Sequence, residues 1–497
     1  MKNYYNIMAL LFTVYASAQA PTIDWTYSLP DKIDRSSPAI ADDGTVYIGC
    51  SLGTRTAVVS PTLPNPNFFA VNSDGTLKWQ TSISEGNFLK PDAIVSSASI
   101  NSDGSIYMGG RYGRIVFRLN AVTGDTIRTK HINTRQRYTA PVFADNGDVY
   151  ICGHSKGDKG IRSLSPDLIT ENWIFGAGND FNSTAALAAD GTIYAASTNG
   201  SIYAINSDGT EKWNAVYGNY VSSAIAIGTD GSVYLSAKLN SDADGVLKSY
   251  DPADGSENWS VTLTGANAEQ GGPAIADDGT IYLGNKGGRI KAYSPTDGSE
   301  LWSYPLAANP AIAGIEVVPA IDNDGNIYFG TTDGMFYVLD DTGVEEYTPL
   351  DLGDRVDSSV AIAADGTVYV GVTDAGVGKL YALSTTATGL ASGDWPMYGR
   401  TSKHTANVDM ITLSTTALKT TSEFIVFPNP VTSGEFQINT TTNGSKSLEI
   451  YDLQGKEVYS KLVSADEIVK VSNLNPGIYI LKVIEGNLTA TQKLIIE

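Results

Sequence analysis

Eight glycines set the terms for this chain. Gly44, Gly104, Gly147, Gly191, Gly231, Gly279, Gly325 and Gly366 stand about 40 to 48 residues apart after one longer first interval. Each follows an Asp, except Gly147, which follows Asn146. Three residues after each comes a tyrosine: Tyr47, Tyr107, Tyr150, Tyr194, Tyr234, Tyr282, Tyr328 and Tyr369. Four residues before each sits an apolar residue: Ile40, Ile100, Phe143, Leu187, Ile227, Ile275, Ile321 and Ile362. Agreement in all eight copies excludes coincidence. The spacing is that of a four-stranded blade.

Within a unit the grammar is strand, tight turn, strand, as in Ala276 to Gly284. Asp-Gly supplies the positive φ that a short hairpin needs. The residue five after each anchor glycine is small, which fits a place where blades crowd together: Gly49, Gly109, Cys152, Ala196, Ser236, Gly284, Gly330 and Gly371. A third strand follows, then a second turn, then a fourth strand bearing Trp79, Trp173, Trp213, Trp259 or Trp302. Blade two departs from this near Ile127, and blade seven carries Tyr347. Eight such units predict an all-β chain built on a closed eight-bladed β-propeller, whose closure removes exposed sheet edges. Trp25 lies in a fourth-strand pattern with no blade before it, so the N-terminal segment is expected to complete blade eight. Trp395 is the alternative source of that strand.

Composition narrows the partners. A net charge of −21 argues against nucleic acid, which needs clustered Lys and Arg. Cys50 and Cys152 fall on non-neighbouring blades and opposite strand faces, too far apart for a disulfide. His131, His154 and His404 show no metal-ligand spacing. Lys2, the apolar run Ile7 to Val14 and Ala16-Ser17-Ala18 read as a signal peptide over 1–18, with Gln19 the first mature residue after cleavage at Ala18. No stretch is apolar enough to predict a transmembrane segment. The propeller is read over 19–408 and a Thr/Ser-rich linker over 409–423.

From 424 to 497 the pattern changes. Phe427-Pro428-Asn429-Pro430 opens a short β-rich stretch, and Leu448 to Val458 and Leu474 to Val483 repeat one strand-turn grammar. A small β-sandwich follows from it.

Two resemblances extend this reading. The run Ala276 to Trp302 resembles the PQQ-type repeat of quinoprotein-dehydrogenase-like propellers. Asp394-Trp395-Pro396-Met397-Tyr398-Gly399-Arg400, with His404-Thr405, is similar to a Trp-Pro-Met segment that flanks such propellers. The segment 424–497 resembles the type A C-terminal sorting domain of the type IX secretion system. That resemblance implies passage through the periplasm of a Gram-negative bacterium, engagement of the type IX machinery, and release or attachment at the cell surface. The propeller resemblance raises a quinone cofactor with calcium, but such enzymes carry adjacent cysteines and this chain has none. Asp42-Asp43-Gly44, Asp277-Asp278-Gly279, Asp322 to Gly325 and Asn240 to Gly245 offer oxygens for calcium, yet none continues into a complete binding loop. No cofactor is required, and calcium stays open.

No residue pattern marks the chain as an enzyme. The Asp-Gly turns share one face of the ring, so a ligand belongs on the opposite face, over the loops between blades. Candidates there are Arg111, Tyr112, Arg135, Arg137, Tyr138, His154, Asp180, Phe181, Tyr220, Glu269 and Arg355. Aromatic residues among charged ones suit an extracellular protein or a glycan. The expectation is a secreted or cell-surface binding propeller. Two alternatives stand beside it: a quinone-dependent dehydrogenase or other propeller enzyme, and an outer-membrane assembly scaffold.

Overall fold

The computed structural model describes residues 19–51, 66–83, 94–111, 114–155, 157–176, 178–220, 223–239, 244–264, 271–305 and 310–407. Beyond them it describes 425–427, 431, 434–439, 446–451, 456–464, 468–471, 474–485 and 488–496. The chain divides into two compact units, the first ending at Met410. The segments read from sequence as a signal peptide, 1–18, and a linker, 409–423, lie outside the described residues.

The first unit is a β-propeller. Among its described residues, eight antiparallel sheets follow one another in chain order. Blade four shows the pattern: Ala186–Leu187, Ile193–Ser197, Ser201–Ile205 and Glu211–Val216, each paired with the next. The inner strands are buried throughout, while the outermost is mostly exposed, with Trp213 turned inward. An interior strand has neighbours on both faces, whereas an outer edge must meet water.

Blade eight answers the question of closure. Thr22–Ser28 pairs antiparallel with Val377–Ser384 and supplies the fourth strand. Trp395 goes elsewhere, as described below.

The repeated side chains lock blade to blade. In six blades the anchor tyrosine packs on the fourth-strand tryptophan at 5.6–5.8 Å between ring centroids, Tyr369 with Trp25 included. Each of those indoles donates its N–H to a turn carbonyl of the next blade at 2.8–3.0 Å, as Trp213 does to Pro252. The same indoles lie over glycines of that turn, where a Cβ would come within 2.4–2.8 Å of ring carbons. Those glycines are held at φ of 71° to 85°, a second reason no larger residue serves. Trp25 reaches Ser73 of blade one, which joins the last blade to the first.

The small residue five after each anchor has a similar cause. A Cβ on Gly49 would strike Ile94, one on Gly330 would strike Val356, and one on Gly371 would meet Ile33. Each of those side chains belongs to the segment that enters the next blade.

The second unit holds two sheets. Ile425–Phe427, Glu435–Asn439 and Val469–Lys470 form one, and Glu457–Val463, Lys446–Tyr451, Gly477–Glu485 and Leu488–Ile496 the other. Phe436, Leu448, Ile450, Leu481 and Leu494 are buried in its core. No helix among the described residues is long and apolar enough to cross a membrane.

Candidate binding site at the channel mouth

The inner strand of every blade pairs on one side only, so its other edge faces the channel with unpaired backbone groups. A buried amide needs a partner. The segment after blade eight supplies them. Ile40, Ile100, Leu187, Ile275 and Ile321, each four residues before an anchor glycine, donate their N–H to Ser402, Lys403, Ala406, Trp395 and Pro396 at 2.7–3.0 Å. Asn407 donates to the Phe143 carbonyl, and Asp394 accepts from the Thr229 amide. Residues 389–407 therefore form a hub seated in the channel at the Asp-Gly end. Trp395 and Met397 are buried within it. Burial draws the His404 imidazole down to about 4. The neutral ring donates from Nδ1 to the Ala98 carbonyl at 2.9 Å.

The hub closes one end of the channel, and the other end keeps a small pit. Two repeat positions build it. Nine residues before the anchors stand Arg35, Tyr138, Glu316 and Asp357. Seven before them stand Ser37, Ala224, Val318 and Ser359. Two-residue spacing puts both sets on one face of an extended chain, in two layers along the channel. The deeper layer is knitted sideways: Val318 donates to the Ser359 hydroxyl, Ser359 to Ser37, and Ser37 to Ser97, at 2.9–3.1 Å. Tyr398 of the hub also lines the pit, and its hydroxyl shares a hydrogen bond with Thr184 at 2.7 Å.

The mouth is charged and interlocked. Glu316 accepts from Arg355 at 2.6 Å and Arg35 at 3.4 Å, with the Lys286 ammonium at 3.9 Å. Arg355 also pairs with Asp357. Burial nevertheless pushes the Asp357 carboxyl above its usual range. Guanidinium carbons of Arg35 and Arg137 lie 4.5 and 4.3 Å from the centroid of the Tyr138 ring, and Arg137 also hydrogen-bonds the Tyr138 hydroxyl.

Of the residues singled out from sequence, Tyr138 lines the pit, and Arg137 and Arg355 join it through Tyr138, Glu316 and Asp357. Others build seams. Arg135 and His154 exchange backbone hydrogen bonds at 3.2 and 2.8 Å, and burial lowers the imidazole. Asp180 accepts from the Ser155 amide and from Lys159. The Tyr220 hydroxyl accepts from Asn182. Phe181 is fully buried and packs on Tyr203, so it is a core residue rather than part of a ligand face. Arg111 is half-buried, away from the pit lining. Tyr112 and Glu269 lie outside the described residues. Sequence reasoning named neither Arg35 nor Asp357 as a candidate. Their shared repeat position, nine before an anchor glycine, was the signal.

A quinone with calcium does not fit this pit. The space is about 40 Å³, far below the roughly 300 Å³ at which small-molecule pockets begin. Cys50 and Cys152 are buried free thiols on separate blades, both pushed up to about 12, chiefly by burial. Among the described residues no group of three or more His, Cys, Asp and Glu is placed to hold a metal ion. The turn carboxylates serve their own turns, as Asp43 accepts from Thr45 and Asp278 from Thr280.

Fold and hub together define a propeller plugged at one end of its channel, and the second unit is a β-sandwich. Residues 157–389 match the protein family described as outer membrane protein assembly factor BamB, and residues 425–497 match the secretion system C-terminal sorting domain. The chain carries a PQQ-like repeat propeller and a type IX secretion sorting domain. Similar solved structures share the fold. BamB from Moraxella catarrhalis is 16% identical, with a TM-score of 0.52, over 73% of this chain and 97% of its own. A computationally designed protein is 15% identical, with a TM-score of 0.53, over 72% and 98%. A europium-containing methanol dehydrogenase is 12% identical, with a TM-score of 0.56, over 73% and 93%. No curated protein matches the chain. The sorting tail points to secretion or to the surface of a bacterium.

Proposed function

We propose that this is a non-enzymatic recognition propeller that binds a protein or a glycan through its inter-blade loop face. It crosses the periplasm of a Gram-negative cell and is released or held at the surface by the type IX machinery. One observation carries the reading. The hub fills the channel from the Asp-Gly end, so the mouth at the loop face is the end left for a ligand. A space of about 40 Å³ takes the tip of a side chain or substituent rather than a whole cofactor. Recognition then spreads over the surrounding loops, with the mouth as its centre.

A thermal-shift screen of residues 19–408 tests this. The panel holds calcium, calcium with pyrroloquinoline quinone, and soluble acidic and neutral polysaccharides. A ligand that binds only the folded state raises Tm by mass action. A rise with one polysaccharide identifies a glycan binder. No rise with any of them directs the search to protein partners. A rise that needs the quinone overturns the non-enzymatic reading.

A further inference from the structure

Four features of the mouth converge. First, three guanidinium groups meet in one network: Arg35 and Arg137 on the Tyr138 ring, and Arg35 and Arg355 on Glu316. Second, the Arg137 Nε is buried and has no hydrogen-bond partner. A buried guanidinium donor is costly to leave unmet, and charge-assisted bonds to carboxylates are what that fork geometry satisfies best. Third, Arg35 and Tyr138 both sit at positive φ, 59° and 60°, without being glycine. Such backbone persists where the surroundings enforce it, and it gathers at binding sites. Fourth, the chain carries −21 overall, so an anion will be turned away from most of its surface and admitted only where cations gather.

We propose that this mouth captures the carboxylate of an acidic side chain from a protein partner, with Arg137 as the receiving group. The inference rests on reading the loop face as a recognition surface. A protein ligand fits better than an acidic sugar because the Tyr138 ring is already packed by two guanidinium groups rather than offered to a pyranose. The pit beside it, lined by Arg35 and Tyr138, has room for one carboxylate on a flexible stem.

The test uses the mature full chain and a fluorescent Glu-rich decapeptide as probe, read by anisotropy at low salt. Binding is expected, with Arg137→Gln weakening it about tenfold. Asp357→Asn, which removes a competing carboxylate without changing shape, is expected to tighten it about threefold. It keeps the test open should Arg137→Gln fail to fold. Lys212→Gln makes the same charge change on the outer strand of blade four, where Lys212 pairs with Asp190, and is expected to leave binding alone. The proposal is overturned by no binding of the wild type, by equal weakening from Lys212→Gln and Arg137→Gln, or by tighter binding of oligogalacturonate than of the peptide. A Lys-rich decapeptide that binds in place of the acidic one overturns it too, while leaving recognition at the loop face intact.

Discussion

Two seams of the ring differ from the other six. At six seams an indole crosses to a glycine turn of the next blade. Between blades two and three the indole position holds Arg128. The matching turn position holds Leu168 instead of glycine, at φ 59° and buried. Tyr107 takes over the turn contact, its hydroxyl donating to the Pro166 carbonyl at 2.5 Å, and Lys130 bonds the Ile169 carbonyl. Large ring plus no side chain has become polar residue plus large side chain. Between blades seven and eight the cause is different. The chain leaves blade eight after Ser384 for the hub, so no third-to-fourth turn exists to receive an indole, and blade seven has Tyr347. Between blades two and three a buried leucine stands where the other seams put an indole over glycine, as dense interior packing requires.

That comparison can be broken in graded ways. Trp213→Ala removes a buried indole and its bond to Pro252, and should cost about 4 kcal/mol. Denaturant unfolding of the propeller checks it. Nothing in the indole locks titrates near neutrality, whereas the hub contains His404. The unfolded imidazole has a pKa near 6.5 and the folded one about 4. Between these values the unfolded chain binds more protons, so stability is lost as pH falls through that window, by about 3 kcal/mol. Unfolding midpoints at pH 7 and pH 4 should show that loss in the wild type and a smaller one in His404→Phe. Gly255→Ala pushes a Cβ to 2.4 Å from the Trp213 ring at φ 75°, and should cost about 2 kcal/mol. The finest test is a double-mutant cycle across the exceptional seam. Arg128→Trp alone should gain nothing, because Leu168 fills its place. Combined with Leu168→Gly it should show a favourable coupling of about 1 kcal/mol. Additive effects there would mean that the two seam types are unrelated.

The ring was legible because its physics repeats. Asp-Gly turns, the Tyr–Trp pairs and the small fifth residue recur at fixed offsets, so each copy confirmed the others. Trp25 announced the N-terminal strand by the same rule. The hub was not legible. Ser402 meets Ile40 and Lys403 meets Ile100 across 362 and 303 residues of chain, with no periodicity to announce it. The mouth fell between these cases. Tyr138 and Arg137 stood out as aromatic and charged loop residues. Arg35 precedes the first recognisable blade, and only the register of the repeat ties it to Glu316 and Asp357.

The hub also orders events in time. Its residues, 389–407, come after every blade strand in the chain, and the sorting domain comes after the hub. A product cut short anywhere in the blades or the hub also lacks its export address. The address is therefore attached only to chains that already hold the piece that plugs the channel, so export selects for completeness without any separate inspection.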